Sequence, residues 1–465
     1  MSNNHCCPNC SVPLNIETCG VYFTFTPVLG KKSVSADLED EEKKKMQLLI
    51  DGANSFKEKL DKHMERFNLN EKERNGLFYI NNDVQDKNSK RKEIIDHSTD
   101  KDLKWNKVTI NRNPENFEAE ITCDIEEPFN EDSYPACHHC GYILPKNFFA
   151  YKQVFNIALV GAAGSCISVY LQSLTRNQCG SFSDFRGLYE FDYQKLNTLG
   201  AQQFYIDNAN KLDTFGILPP KTIPGFYLPL LLDMEEINGK EKYLISITDI
   251  AGESFMESTN NEGYEAHREF LRNCDGCLLL VSLDEILYDK NLLSIDEKHY
   301  TIPENKDKSI IDNRYVGIIT KITERLIRNK KRPFVSFVLT KCDLLKDREV
   351  NEYEKIYNED KTLEKWSSIS DAINCYCIEP SNFIPKQRRQ KFNRIPIEYF
   401  AVSATGRTPD SVEYSELDKA CTDDKKRKEK VWHVKGGIKP KYVELPFIWL
   451  IEKLLENMKN ENENI

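Results

Sequence analysis

From residue 152 to the C-terminus, short apolar runs alternate with longer segments of helical period. Val154–Gly161, Gly276–Leu283, Pro333–Thr340 and Glu398–Ser403 are nearly continuous apolar stretches. Strands of that kind are buried on both faces of a mostly parallel sheet. Phe226–Ile237 and Lys242–Asp249 are joined by Asn238-Gly239, a strong signal for an antiparallel hairpin. The segments between the strands supply helices for both faces, and Pro446–Met458 is the last of them.

The first 150 residues read differently. Residues 1–30 and 123–150 carry short β-type pieces and cysteine pairs. Residues 31–122 form an insert in which Leu38–Lys90 is charged, with apolar residues at near-helical spacing. That spacing predicts one or two solvated amphipathic helices, followed by β-type stretches at Lys107–Ile110 and Phe117–Cys123. The insert would loop out of the cysteine-bearing element. No internal repeat is visible.

Composition narrows the classes. The 465 residues carry a net charge of −10, with 40% hydrophobic and 30% charged residues, which gives no clear nucleic-acid signal. No apolar run is long enough to span a bilayer. The first residues have neither a basic nor an apolar signal-peptide region, so a cytoplasmic location is expected. Fifteen scattered cysteines fit reduced thiols plus a metal site better than a disulfide framework.

The strand ending at Gly161 runs into Gly161-Ala-Ala-Gly-Ser-Cys-Ile-Ser168 and then into a helix. A loop in that position cradles phosphate with backbone N–H groups and the helix N-terminus. Against the pattern G-x-x-x-x-G-K-[ST], Gly161 is the first glycine and Ser168 the Mg²⁺-binding hydroxyl. Gly164 and Ser165 lie in the loop, Cys166 takes the second glycine position and Ile167 the lysine position. An ammonium ~4 Å from a phosphate charge is worth up to ~4 kcal/mol at an effective dielectric of ~20. Its loss therefore puts hydrolysis in doubt more than it puts the fold in doubt.

Three further motifs end strands in the same order. Asp249-Ile-Ala-Gly252-Glu253 places a carboxylate for Mg²⁺, a glycine N–H for a γ-phosphate, and Glu253 where a water-orienting glutamine often stands. Thr340-Lys341-Cys342-Asp343 offers a carboxylate that accepts from guanine N1–H and its exocyclic amine, with the Lys341 stem along the base. Ser403-Ala404 sits in a tight loop whose N–H meets guanine O6.

With these residues the chain resembles a TRAFAC-class P-loop GTPase, and most closely the bacterial double-GTPase family of conflict and defence operons. The resemblance rests on residues 157–171, 249–253, 339–343 and 400–406, with Leu218-Pro-Pro-Lys-Thr222 and Gly437-Ile-Lys-Pro in support. It covers residues 152–465 and the cysteine knuckles, not the insert. It implies GTP or GDP with Mg²⁺ as ligands and a switch threonine, Thr222 before Thr214. Protein partners, with a second GTPase among them, are implied too. Lys221, Arg176, Arg186 or a partner's arginine are candidates to replace the missing cation.

Cys7-x-x-Cys10 and Cys137-x-x-Cys140-Gly141 can supply four thiolates to a structural zinc ribbon, with Cys6, His138 and His139 as weaker substitutes. Cys274-x-x-Cys277 falls where a helix enters a buried strand and is read as core packing, as are Cys375 and Cys377. The basic run Lys425–Lys430 is read as a solvated loop.

Overall fold

The computed structural model describes residues 5–24, 76–79, 107–122, 132–138, 142–162, 165–175, 189–193, 208, 210–219, 229–236, 241–255, 268–282, 313–329, 331–344, 395–407, 409–417, 428 and 430–463. Sixteen strands are described. They are β1 (His5–Cys6), β2 (Pro13–Leu14), β3 (Gly20–Thr24), β4 (Gly76–Tyr79), β5 (Lys107–Arg112), β6 (Phe117–Thr122), β7 (Asp132–Ala136) and β8 (Gln153–Gly161), then β9 (Tyr189–Tyr193), β10 (Leu230–Glu236), β11 (Lys242–Ala251), β12 (Gly276–Ser282), β13 (Phe334–Thr340), β14 (Ile397–Ala401), β15 (Asp410–Glu413) and β16 (Lys430–His433). The principal helices are α1 (Ile167–Thr175), α2 (Asn313–Ile327), α3 (Tyr414–Leu417) and α4 (Leu445–Glu463). Among the described residues no helix is long and apolar enough to cross a membrane.

The largest sheet has seven strands in the order β14-β13-β12-β8-β11-β10-β9. β14, β13, β12 and β8 run parallel, as their continuous apolar sequences require. The connection 237–241 is too short for a parallel crossover, so neighbouring β10 and β11 form the expected antiparallel hairpin.

The chain divides into two compact units, and the division passes through β8 and β11. In the unit that holds most of residues 155–465, one sheet face carries Val160, Leu279, Val281, Phe337 and Leu339 against Ile318, Ile319, Ile322 and Leu326 of α2. On the other face Phe400 and Phe334 pack at 6.0 and 6.4 Å from the Trp449 ring of α4, and Ser336 Oγ donates to Pro446 O at 2.8 Å. Both faces are therefore covered. The helical period of 446–458 is borne out and extends to Glu463.

The other unit holds residues 1–154 with 190–203 and 226–246. Its core joins Cys7, Val21, Tyr22, Phe117, Cys137, Phe148, Val154, Leu231 and Leu244. β3 lies between β4 and β7. The insert therefore contributes β4 to that sheet, and its Phe117 and Ala119 to the same core, rather than simply looping out, while the β-type stretches expected at Lys107–Ile110 and Phe117–Cys123 form the β5–β6 pair. Gly76–Tyr79 is strand although it lies in the stretch read as helical. The rest of the proposed helical stretch lies outside the described residues.

Candidate functional site

The carboxyl ends of the parallel strands converge, because their registers pair Gly161 with Leu280, Ser282 with Thr340, and Leu339 with Ala401. In a parallel α/β sheet this edge is where ligands bind. Every motif of the sequence reading with described residues on this sheet ends a strand here.

At the phosphate side, β8 ends at Gly161 and α1 begins at Ile167. Ser165 is fully buried, its N–H donates to Ala162 O at 3.1 Å, and its carbonyl accepts from Thr340 Oγ1 at 3.1 Å. That last bond pins the loop to the end of β13. Cys166 sits at φ +59°, a left-handed conformation that a glycine adopts without strain. The turn required by the missing glycine is thus kept by a residue that pays for it. Tyr170 N–H then donates to Cys166 O at 2.8 Å, closing the first turn of α1. Ile167 is only 9% exposed, so an apolar side chain lies buried where an ammonium was sought. Ser168 is half-buried, and Gly164 lies outside the described residues.

Asp249 and Gly252 come from β11 and the 3-10 turn Gly252–Phe255 that follows it. Asp249 is buried. A Cβ on Gly252 would fall 2.2 Å from Gly161 O and 2.9 Å from Ala162 Cα, so the two motifs touch backbone to backbone and only glycine fits. The same contact places the end of β11 beside the end of β8. Glu253 belongs to the turn, but its side chain is outside the described ones. Thr222, Lys221, Arg176 and Arg186 are also outside the described residues, while Thr214 is exposed in a helical turn at 210–215.

At the base side, β13 ends at Thr340 and Lys341 turns through φ +62° into the Cys342–Leu344 turn. Ser403 Oγ donates to Asp343 Oδ1 at 2.6 Å and accepts from Gly406 N–H at 2.7 Å. Cys342 N–H donates to Val402 O at 3.1 Å, and Ser173 Oγ of α1 donates to Ala404 O at 2.7 Å. Two strand-end loops and α1 are therefore one hydrogen-bonded assembly. Sequence reading named Thr340, Asp343 and Ser403, which the fold brings to the same sheet edge. It missed the bridging of Thr340 to Ser165 and of Ser173 to Ala404, because both partners are carbonyls that leave no mark in a motif.

The cysteine knuckles form a separate centre. The Sγ atoms of Cys7, Cys10 and Cys137 all lie within 4.8 Å of one another, with Cys10 and Cys137 at 3.7 Å. Thiolates ~2.3 Å from a tetrahedral zinc stand about 3.8 Å apart, whereas a disulfide needs ~2.05 Å. The donor set fits zinc. Cys7 N–H donates to Val12 O, Ser11 N–H to Cys7 O and Cys137 N–H to Tyr142 O, which shapes the tight turns beneath the sulfurs. Cys140, the expected fourth ligand, lies outside the described residues, and neither Cys6 nor His138 joins the group among those described. Cys19 is also outside it: burial, opposed by Arg112, pushes its thiol up to about 11. Cys274 and Cys277 are fully buried in the sheet core, as expected for packing residues, and burial drives both thiols far above their ordinary range.

Residues 224–372 match the sequence model of the Double-GTPase 2 family, a span that includes Asp249–Gly252 and Thr340–Asp343. No curated protein matches the chain. Among solved structures, the chain is similar to an ADP ribosylation factor-like GTP-binding protein, the small COPII coat GTPase SAR1 from Encephalitozoon cuniculi, in complex with GDP. The identity is 12%, with 66% of this chain and 83% of that chain covered, and the TM-score of 0.25 is too low to bear on geometry. The chain is a mixed α/β protein with a mostly parallel sheet, and it resembles the double-GTPase family of P-loop GTPases.

Proposed function

We propose that this protein is a guanine-nucleotide-binding regulator with weak or absent intrinsic turnover, acting through protein partners in a setting such as the conflict and defence operons of the family it resembles. The observation that carries the reading is the Asp343–Ser403 hydrogen bond, 2.6 Å between two loops brought together only by the fold. It holds the carboxylate in one orientation, as recognition of a flat base requires. In this reading Asp343 accepts from guanine N1–H and its exocyclic amine, Lys341 packs its stem along the ring, and the Ala404 N–H meets O6. Adenine offers no matching donor pair.

The phosphates would lie against the backbone of 161–168, at the start of α1. Mg²⁺ would be held by Ser168 directly and Asp249 through water, the Gly252 N–H would reach a γ-phosphate, and Thr222 and Glu253 would take the switch and water-orienting roles. With Ile167 buried in the lysine position, the loop offers shape but no side-chain ammonium of its own. That favours binding without efficient transfer. Zinc on Cys7, Cys10, Cys137 and Cys140 would be structural, since the two most buried of the described ligands are closed off from solvent.

The reading is tested by equilibrium binding of labelled GDP and GTP with Mg²⁺, and by phosphate release, for the wild type and Asp343→Ala. Micromolar or tighter binding that is lost in the variant, without multiple turnover, is the expected result. Turnover abolished by Asp249→Ala would establish an active GTPase with a substitute cation. Absence of binding by the folded wild type would leave a scaffold that keeps the fold alone.

A further inference from the structure

The chain from the last residues of β16 towards α4 bonds at one end to the base-side loop and at the other to the segment that leads toward Thr222. At the base side, Lys441 N–H donates to Ser403 O at 2.8 Å, Ser403 N–H returns to Lys441 O at 3.1 Å, and Lys439 N–H donates to Thr405 O at 2.8 Å. Gly406, at φ +69°, lets the two chains close: a Cβ there would fall 2.0 Å from Lys439 O. At the other end, Val434 N–H donates to Gly216 O at 2.9 Å, Leu218 N–H donates to Trp432 O at 2.8 Å, and Ile217 bridges His433. Gly216, at φ +65°, has the same role, since its Cβ would meet Val434 O at 2.7 Å.

We propose that residues 432–441 are a positioning strap that couples guanine occupancy at 403–406 to the placement of 216–218. The proposal rests on the guanine reading above and adds its regulation. The strap is one short chain segment with a ladder at each end, so ordering one ladder lowers the entropy lost in forming the other. Its centre, Gly436-Gly437, takes two successive left-handed conformations at φ +79° and +78°, and Gly437 N–H donates to Val434 O at 3.0 Å. This turn sets the angle between the ladders. A loop without its lysine holds phosphate weakly, so in this protein the base is the part of the nucleotide that reports occupancy to the switch segment.

Hydrogen exchange of the amides of 211–218, with and without saturating GDP and Mg²⁺, tests the strap in the full chain. GDP should slow exchange there by about tenfold in the wild type. In Gly216→Ala the slowing should vanish and GDP affinity should fall by no more than about tenfold, the factor that reciprocal coupling sets, because the substitution parts the strap from 216–218 only. Leu218→Pro removes the donor to Trp432 O and should give the same result if Gly216→Ala fails to fold. GDP binding with no slowing in the wild type, or slowing that persists in a folded variant, overturns the strap and leaves the guanine site standing. No GDP binding at all overturns both.

Discussion

The base side and the phosphate side of the proposed site differ in which of their groups are present. At the base side the side chains are in place: Asp343 and Ser403 are joined at 2.6 Å, Ser403 also receives Gly406 N–H, and the loop is laddered to 439–441. At the phosphate side the backbone, Ser168 and Asp249 are in place and the lysine is not. Ser165 is pinned through Thr340, Gly252 touches Gly161, and the left-handed turn survives at Cys166, yet Ile167 stands where a charge belongs. Backbone shape can persist when its best residue is gone, at a cost of ~1–3 kcal/mol for a strained φ. A point charge has no such substitute within the loop.

Restoring that charge should produce the largest change. Ile167→Lys is expected to tighten GDP binding by about tenfold to a hundredfold and to leave guanosine binding unchanged. Titration calorimetry with both ligands separates the two. Breaking the other side is the next test: Ser403→Ala frees the Asp343 carboxylate and should weaken GDP and guanosine alike by about tenfold. The smallest effect is on stability. Cys166→Gly removes the left-handed strain but adds chain entropy to the unfolded state, for a net gain of about 1 kcal/mol. A rise in Tm of about 2–4 °C would register it.

Much of the unit that holds most of residues 155–465 was legible because its strands are continuous apolar runs, which only a sheet buried on both faces accommodates. Gln153–Gly161, Gly276–Ser282 and Phe334–Thr340 are of this kind. The β15–β16 hairpin was not legible. Asp410–Glu413 and Lys430–His433 have no fully buried residue, and they pair across an interval that includes α3 and the basic run. The short strand Gly76–Tyr79 is an apolar run of four within a long polar stretch, too brief to be told from one turn of a helix, and its pairing with β3 decides it. The site motifs could be read one strand end at a time. The bonds that tie them together, from Thr340 to Ser165 and from Ser173 to Ala404, run to backbone atoms and needed the fold to appear.

The contrast between the two sides is tested most directly by the ratio of GDP to guanosine affinity in the wild-type protein with Mg²⁺. If the base side carries the binding, GDP should exceed guanosine by no more than about a hundredfold, since the loop lacks an ammonium contact worth up to about a thousandfold (~4 kcal/mol). GDP binding more than about ten-thousandfold tighter than guanosine would show that the phosphate loop has regained its charge from elsewhere, and would contradict the account.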